Sequence, residues 1–322
     1  MIYHIISRRV ILLTRSNGKD RRGMEKSTDH AMNTVLNMLP AGLRAAVGSA
    51  VSLNTAEELR FRVSRPVQIV TPTGEEILRD AVFTAENARE LMEKLCRHSV
   101  YAREDELRRG FLTVEGGARV GVAGRPVTDG NGIIRLTDVS CFNIRITREA
   151  VGCAEGVMAY LTERGRPVSA LIAAPPAGGK TTLLRDVARC FSNGVSADPV
   201  KVCLADERGE LAGCVGGAPS FDVGDRTDVM ELAPKAEAIR IFIRTMSPDV
   251  IVTDEIGGED DASALEDASR SGVAVIASAH ASSPDELMGR KALEAVMKTG
   301  VFRRVLMLKR NGSVLRISPI KL

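Results

Sequence analysis

Residues 174–182 read Ala174-Pro175-Pro176-Ala177-Gly178-Gly179-Lys180-Thr181-Thr182. The preceding stretch, VSALIAA, is almost wholly apolar and reads as a buried strand; the following one, TTLLRDVARCF, has the apolar spacing of an amphipathic helix. A small-residue loop between a buried strand and a helix, closed by Gly-Lys-Thr, is the context of a phosphate loop. Loop amides and the positive end of the helix dipole present donors to phosphate oxygens. Lys180 supplies a charge for the β and γ phosphates of ATP, and the Thr181 hydroxyl is placed to ligate Mg²⁺. Ala174 and Ala177 stand where many such loops have glycine. A Cβ at 177 is unwelcome where the backbone needs positive φ or close phosphate approach, so turnover is less secure than binding.

Downstream, helix-like and strand-like segments alternate: VKVCLAD, KAEAIRIFIRTM, DVIVTDE, DDASALEDASRSG and VAVIASAH. Apolar strands alternating with helices indicate a parallel sheet covered on both faces, an α/β fold of RecA-like type. Ligands of such folds bind at the carboxyl ends of the strands. DVIVTDE places Asp254 there, where it can hold Mg²⁺ through water, and Glu255, which can orient and deprotonate the attacking water. ADERGEL brings Asp206, Glu207 and Glu210 to the same edge, either to tune metal and water or to form a solvated turn. His280 ends VAVIASAH, where a phosphate-sensing role stands against a structural one.

Upstream, AMNTVLNMLP and AGLRAAVGSA read as short helices, and EELRFRVSRPVQIVTPTGEEIL as strand, turn and strand. Thr84 opens a capped helix, YAREDELRRG forms another, and two further strands flank the turn DGNG. The expected division is therefore a basic extension over 1–31, a smaller α+β domain over 32–150 and a RecA-like ATPase domain over 151–322. A chain of 322 residues has room for two ordinary cores.

Charge argues against a dedicated nucleic-acid binder. The net charge is +3, but residues 1 to 25 carry Arg8, Arg9, Arg15, Lys19, Arg21 and Arg22 against Asp20 and Glu25, so the other 297 residues stand at −1. Aromatic residues make up 3% and there is no Trp, which argues against stacking on bases. The six cysteines form no CxxC pair, so neither zinc nor a disulfide framework is indicated. The apolar runs of MIYHIISRRVILLTR are broken by Arg8 and Arg9 and are too short to span a membrane. Met1, Met24 and Met32 all stand as translation starts. The alternative use of the extension is as a basic anchor at a membrane surface.

With these residues assembled, the chain resembles the stage III sporulation protein AA family, relatives of the type II and type IV secretion ATPases among RecA-like P-loop proteins. The resemblance runs over roughly residues 55 to 320 through LRFRVSRPVQIV, SVYAREDELRRGFLTVEGGARVGVAGR, FNIRITRE, APPAGGKTTLLRDVAR, LADERGELAG, DVGDRTDVM, PKAEAIRIFIRTMSPDVIVTDEIG and SAHA. It departs at the two loop alanines, at Gly209 where a serine is more usual, and in the basic extension.

The resemblance implies a hexameric ring whose N-terminal domain closes over nucleotide. It also implies a cytoplasmic location, at or near the inner face of the membrane, and a task on membrane-embedded proteins of a channel between mother cell and forespore. In the secretion relatives two arginines from N-terminal strands approach the γ-phosphate; Arg119 in GGARVGV and Arg145 in FNIRI have similar strand settings, and surface cations are the other reading of both. Arg226 and Arg244 are further candidates for a charge donated across a subunit boundary. Two alternatives to a channel motor or assembly ATPase remain: a nucleotide-gated ring scaffold that hydrolyses negligibly, and a RecA-like DNA motor.

Overall fold

The computed structural model describes residues 11–13, 32–96, 103–108, 110–114, 118–129, 132–146, 149–176, 178–311 and 314–321. The chain divides into two compact units, one of Met1–Met24, Ala150–Ala212 and Phe221–Leu322, the other of Glu25–Glu149 and Gly213–Ser220. The second unit therefore takes up Gly213–Ser220 from within the 151–322 stretch.

The first described strand is β1 (Ile11–Leu13), followed by helices α1 (residues 32–38) and α2 (Ala41–Gly48). The smaller unit continues with β2 (Glu58–Arg62), β3 (Arg65–Thr71), β4 (Gly74–Phe83), α3 (Ala85–Leu95), α4 (Glu104–Arg108), β5 (Phe111–Thr113), β6 (Arg119–Asp129) and β7 (Gly132–Arg145). Strands β2 to β7 make one antiparallel sheet in the order β4-β3-β2-β7-β6-β5. The alternation that predicts strands in LRFRV puts Leu59 and Phe61 into the core with Val67, Ile69, Phe142 and Ile144, while Arg60 and Arg62 take the other face. Helix α3 opens on a capping box: Thr84 accepts from the Asn87 amide, and the Asn87 side chain accepts from the Thr84 amide. Its Ala88, Leu91 and Leu95 are buried in the same core.

The larger unit contains α5 (Met158–Leu161), the short strands β8 (Thr162–Glu163) and β9 (Arg166–Pro167), then β10 (Ala170–Ala174), α6 (Lys180–Asn193), β11 (Val202–Asp206), β12 (Thr227–Glu231), α7 (Lys235–Thr245), β13 (Val250–Thr253), α8 (Glu259–Arg270), β14 (Ala274–His280), α9 (Pro284–Gly289), α10 (Lys291–Lys298), β15 (Arg304–Asn311) and β16 (Val314–Lys321). Eight strands run in the order β1-β16-β15-β10-β14-β13-β11-β12. Six of them, β15 through β12, are parallel, and β16 and β1 close one side antiparallel.

Every position of β10, β11 and β13 is buried, as an apolar run without alternation requires. On one face Leu171, Cys203, Ile251 and Val275 pack with Ile239 and Phe242 of α7, Leu265 of α8 and Val296 of α10. Helix α6 buries Leu183, Leu184, Val187 and Phe191. The expected parallel sheet is thus present; β12 and the antiparallel pair β15–β16 add to it. Of the basic extension, only Ile11–Leu13 lies among the described residues, paired backbone to backbone with Ile317, Arg316 and Leu315 of β16. Among the described residues no helix is long and apolar enough to cross a membrane.

Candidate nucleotide site

The neighbouring parallel strands β10, β14, β13 and β11 end at one edge of the sheet. Register places Ala174 beside His280, Ala277 beside Thr253, and Thr253 beside Ala205. The loop after β10, the His280 ring, Asp254, Glu255 and Asp206 therefore leave the sheet side by side. Strand order is what assembles them, since they are up to a hundred residues apart in the chain.

The loop turns tightly. The Gly178 amide donates to the Pro175 carbonyl at 3.0 Å, and a Cβ on Gly178 would lie 2.7 Å from the Ala174 Cβ and 2.8 Å from that carbonyl. Gly179 has φ 86° and caps α6 in the left-handed conformation that glycine takes at least cost. Pro176 lies in the turn, and Ala177, where a cost was expected, is outside the described residues. Thr181 and Thr182, half-buried, follow Lys180 in the first turn of α6.

Lys180 is 8% exposed, and its ammonium lies 3.1 Å from the carbonyl oxygens of Ala174 and Pro175 and 2.9 Å from His280 Nδ1. Burial lowers its pKa from the usual lysine value, while the Glu255 carboxylate works the other way. An ammonium has donors only, so His280 Nδ1 accepts and the proton of a neutral imidazole sits on Nε2. That nitrogen lies 2.9 Å from Glu255 Oε1. Lys180, His280 and Glu255 form one continuous chain.

Glu255 is held at each of its polar groups. Its amide donates to Ser278 Oγ at 2.9 Å, its carbonyl accepts from Lys235 Nζ at 2.7 Å, and Oε2 pairs with Arg208 at 2.5 Å. Its φ of 30° is unusual for a residue with a side chain and points to a position that the surroundings impose. Asp254 is 5% exposed, and its Oδ1 is buried without a hydrogen-bond partner among the described residues. Burial pushes the carboxyl up to about 6; the Lys235 ammonium opposes this, and the charges of Asp206 and Glu210 add to it. An orphaned carboxylate oxygen at a strand end is what a hard cation needs, so the residues fit Mg²⁺.

The remaining expected site residues have other partners. Asp206 is fully buried; Oδ1 accepts from the Glu210 amide, and Oδ2 from the amides of Leu211 and Ala212, at 2.8 to 3.0 Å. This carboxylate closes its own turn. Glu207 pairs with Lys235 at 2.9 Å. In the smaller unit, Arg119 lies directly opposite Arg145 on adjacent strands; its guanidinium is over the Phe111 ring at 4.4 Å, and Arg145 pairs with Glu58 at 3.4 Å. Arg226 is tied to the end of α6 through Ser192, and Arg244 is exposed in the last turn of α7.

Reading the chain in one dimension missed Arg208, Lys235, Ser278 and Arg185. Ser278, a hydroxyl inside the apolar strand β14, carries a local signal; Lys235 and Arg185, in helices α7 and α6, and Arg208, in the turn after β11, carry none.

The family described as Sporulation stage III, protein AA matches residues 29–321. Stage III sporulation protein AA of Bacillus subtilis (strain 168) is 41% identical over 282 residues, 87% of this chain and 91% of that protein. Among solved structures, the ATPase DotB of Yersinia pseudotuberculosis superposes with a TM-score of 0.57 at 12% identity, covering 87% of this chain and 79% of that one. The pilus retraction motor PilT, solved with bound ADP, gives 0.55 at 12% identity over 86% and 80%. At such identity these likenesses concern the fold, which is that of P-loop secretion and pilus ATPases.

Proposed function

The chain belongs to the stage III sporulation protein AA family, and on that premise we propose that it is an ATPase, a motor or assembly factor that binds ATP·Mg at Lys180 and hydrolyses it. The observation that carries this reading is the orphaned Asp254 oxygen beside a restrained Glu255, at the same strand edge as the phosphate loop. A metal cage is not required: among the described residues no group of three His, Cys, Asp or Glu is arranged to hold a metal ion, and Mg²⁺ commonly arrives on nucleotide phosphates with one or two carboxylates supplied by the protein.

In this proposal the loop 174–179 and the amides opening α6 receive the phosphates, and Lys180 exchanges its contacts with loop carbonyls for phosphate oxygens. Those carbonyls are not stranded by the exchange, since Ala174 O also accepts from the Ala281 amide and Pro175 O from the Gly178 amide. Thr181 and Asp254 would hold Mg²⁺, which would offset phosphate charge when bound. Glu255 orients water and takes its proton. Arginines 119, 145, 226 and 244 are candidates for the charge that completes the site in a ring of like subunits, proposed as a hexamer. The proposed setting is the cytoplasmic side of a membrane, with channel proteins built during sporulation as partners.

Steady-state phosphate release from wild type and Glu255→Gln, beside ATP affinity from a fluorescent analogue, tests the reading. Turnover in wild type and its loss in the variant, with affinity retained, is the expected result. Background release from both while ATP still binds replaces the motor with a nucleotide-gated scaffold. DNA binding that weakens steeply with salt brings back a DNA motor.

A further inference from the structure

Glu255 is gripped from two sides, and one of the two grips belongs to a residue that has no role in the site as proposed above. His280 of β14 takes Oε1; Arg208, from the turn after β11, takes Oε2. We infer that Arg208 is a positioning residue for Glu255: the turn 206–212 carries the guanidinium onto one carboxylate oxygen and so fixes the direction the other faces. This rests on the reading of Glu255 as the group that activates water.

The turn is built to hold a side chain in place. Asp206 spends its carboxylate on the amides of Glu210, Leu211 and Ala212. The Gly209 amide donates back to the Asp206 carbonyl at 3.2 Å, and φ 65° at Gly209 gives the left-handed step that closes the turn. From outside, Arg185 donates through Nε to the Leu211 carbonyl at 2.6 Å and through Nη2 to the Glu210 carbonyl at 2.7 Å, and its guanidinium covers the Phe221 ring at 3.7 Å. Arg185 belongs to α6, the helix that begins at Lys180. The helix of the phosphate loop thus braces the turn that aims Arg208.

Stability does not account for the pair. The Arg208 side chain is 55% exposed, and ion pairs this accessible to water contribute little to folding. Its effect is on orientation, because the terminal torsion of a glutamate is broad and two fixed donors narrow it. The charged groups around the carboxylate are Arg208 from the turn, His280 from β14 with Lys180 of α6 behind it, Lys235 of α7 with its partner Glu207, and the adjacent Asp254.

The test uses the full chain as wild type, Arg208→Ala, Arg208→Lys and Glu255→Gln. With one grip removed, kcat falls about tenfold in Arg208→Ala, a modest share of what a misplaced catalytic group loses. Affinity for a fluorescent ATP analogue with Mg²⁺ stays within about twofold, and Arg208→Lys recovers part of the rate because it keeps the charge and loses the fork. Wild-type kcat in Arg208→Ala overturns the inference. A second readout needs no turnover: the ¹³Cδ resonance of Glu255 in glutamate-labelled chain, assigned by its absence in Glu255→Gln. With the second donor gone the carboxylate samples more than one orientation, so at one fixed pH the resonance of Arg208→Ala is displaced or broadened relative to wild type. An unchanged resonance overturns the inference. A changed resonance in a protein that releases no phosphate supports Arg208 as the positioning group and assigns the failure to the water-activating role of Glu255.

Discussion

At the scale of single residues, Lys180 and Asp254 behave as opposites. Lys180 has spent its three donors on two carbonyls and an imidazole, and only the His280 nitrogen would lose its sole donor if the ammonium left. Lys180→Ala is therefore expected to keep its melting temperature within a few degrees of wild type while ATP affinity falls at least about tenfold, as titration with a fluorescent analogue would show. Unchanged affinity would remove the phosphate loop from the site. Asp254, by contrast, has an oxygen with no partner among the described residues and a pKa held up to about 6, chiefly by burial. A carboxyl raised in the folded chain keeps a proton that the unfolded chain has already released, so its ionisation costs stability as pH rises from about 4 to 6. The same proton competes with Mg²⁺. Between pH 7.5 and 5.5 the Mg²⁺ concentration needed for half-maximal ATP binding should rise about fourfold more in wild type than in Asp254→Asn, which keeps only the dependence that the ATP phosphates themselves bring. An equal rise in both counts against Asp254 as the metal ligand.

At the scale of elements, the turn after β11 and the cap of α3 are the places where one side chain decides local structure. Asp206→Ala strands three amides in a buried turn and is expected to destabilise by about 3 kcal/mol in urea unfolding, with Asp206→Asn costing less because it keeps one acceptor. Thr84→Ala breaks a reciprocal cap and is expected to cost about 1 kcal/mol. A loss below a few tenths at Asp206 would mean that Arg185 and the backbone bonds of the turn suffice to hold it. These cases also show what was legible in the chain. Strands β10, β11 and β13 were readable because burial on both faces leaves an apolar run, and the loop at 174–182 because strand, glycines and lysine agree. Strand β12, TDVME, was not, because an edge strand is half wet and its composition resembles a loop. That Lys180, Asp254 and Glu255 come to one edge of the sheet was legible from motifs. Arg208, Lys235 and Arg185 were not, since a charge in a turn or on a helix acquires meaning only from the strands beside it, and that β11 lies beside β13 is a fact of sheet order.

At the scale of the whole molecule, the proposed ring is the claim with the widest reach. Solution mass measured with and without ATP·Mg should show six chains per particle in at least one condition. A monomer in both would confine any catalytic arginine to its own chain. The absence of basic excess beyond residue 25 predicts no salt-sensitive DNA binding by the body of the protein. One feature of the large sheet bears on handling the protein in solution. Strand β16 would be the outermost strand on its side but for the three residues of β1 paired against it. A chain started at Met24 or Met32 lacks Ile11–Leu13 and leaves that row of backbone donors and acceptors facing water, a template for another chain to join. The choice of start codon is thus also a choice about colloidal behaviour: light scattering from the shorter forms would report self-association along an uncovered strand, separate from the ring that nucleotide is proposed to assemble.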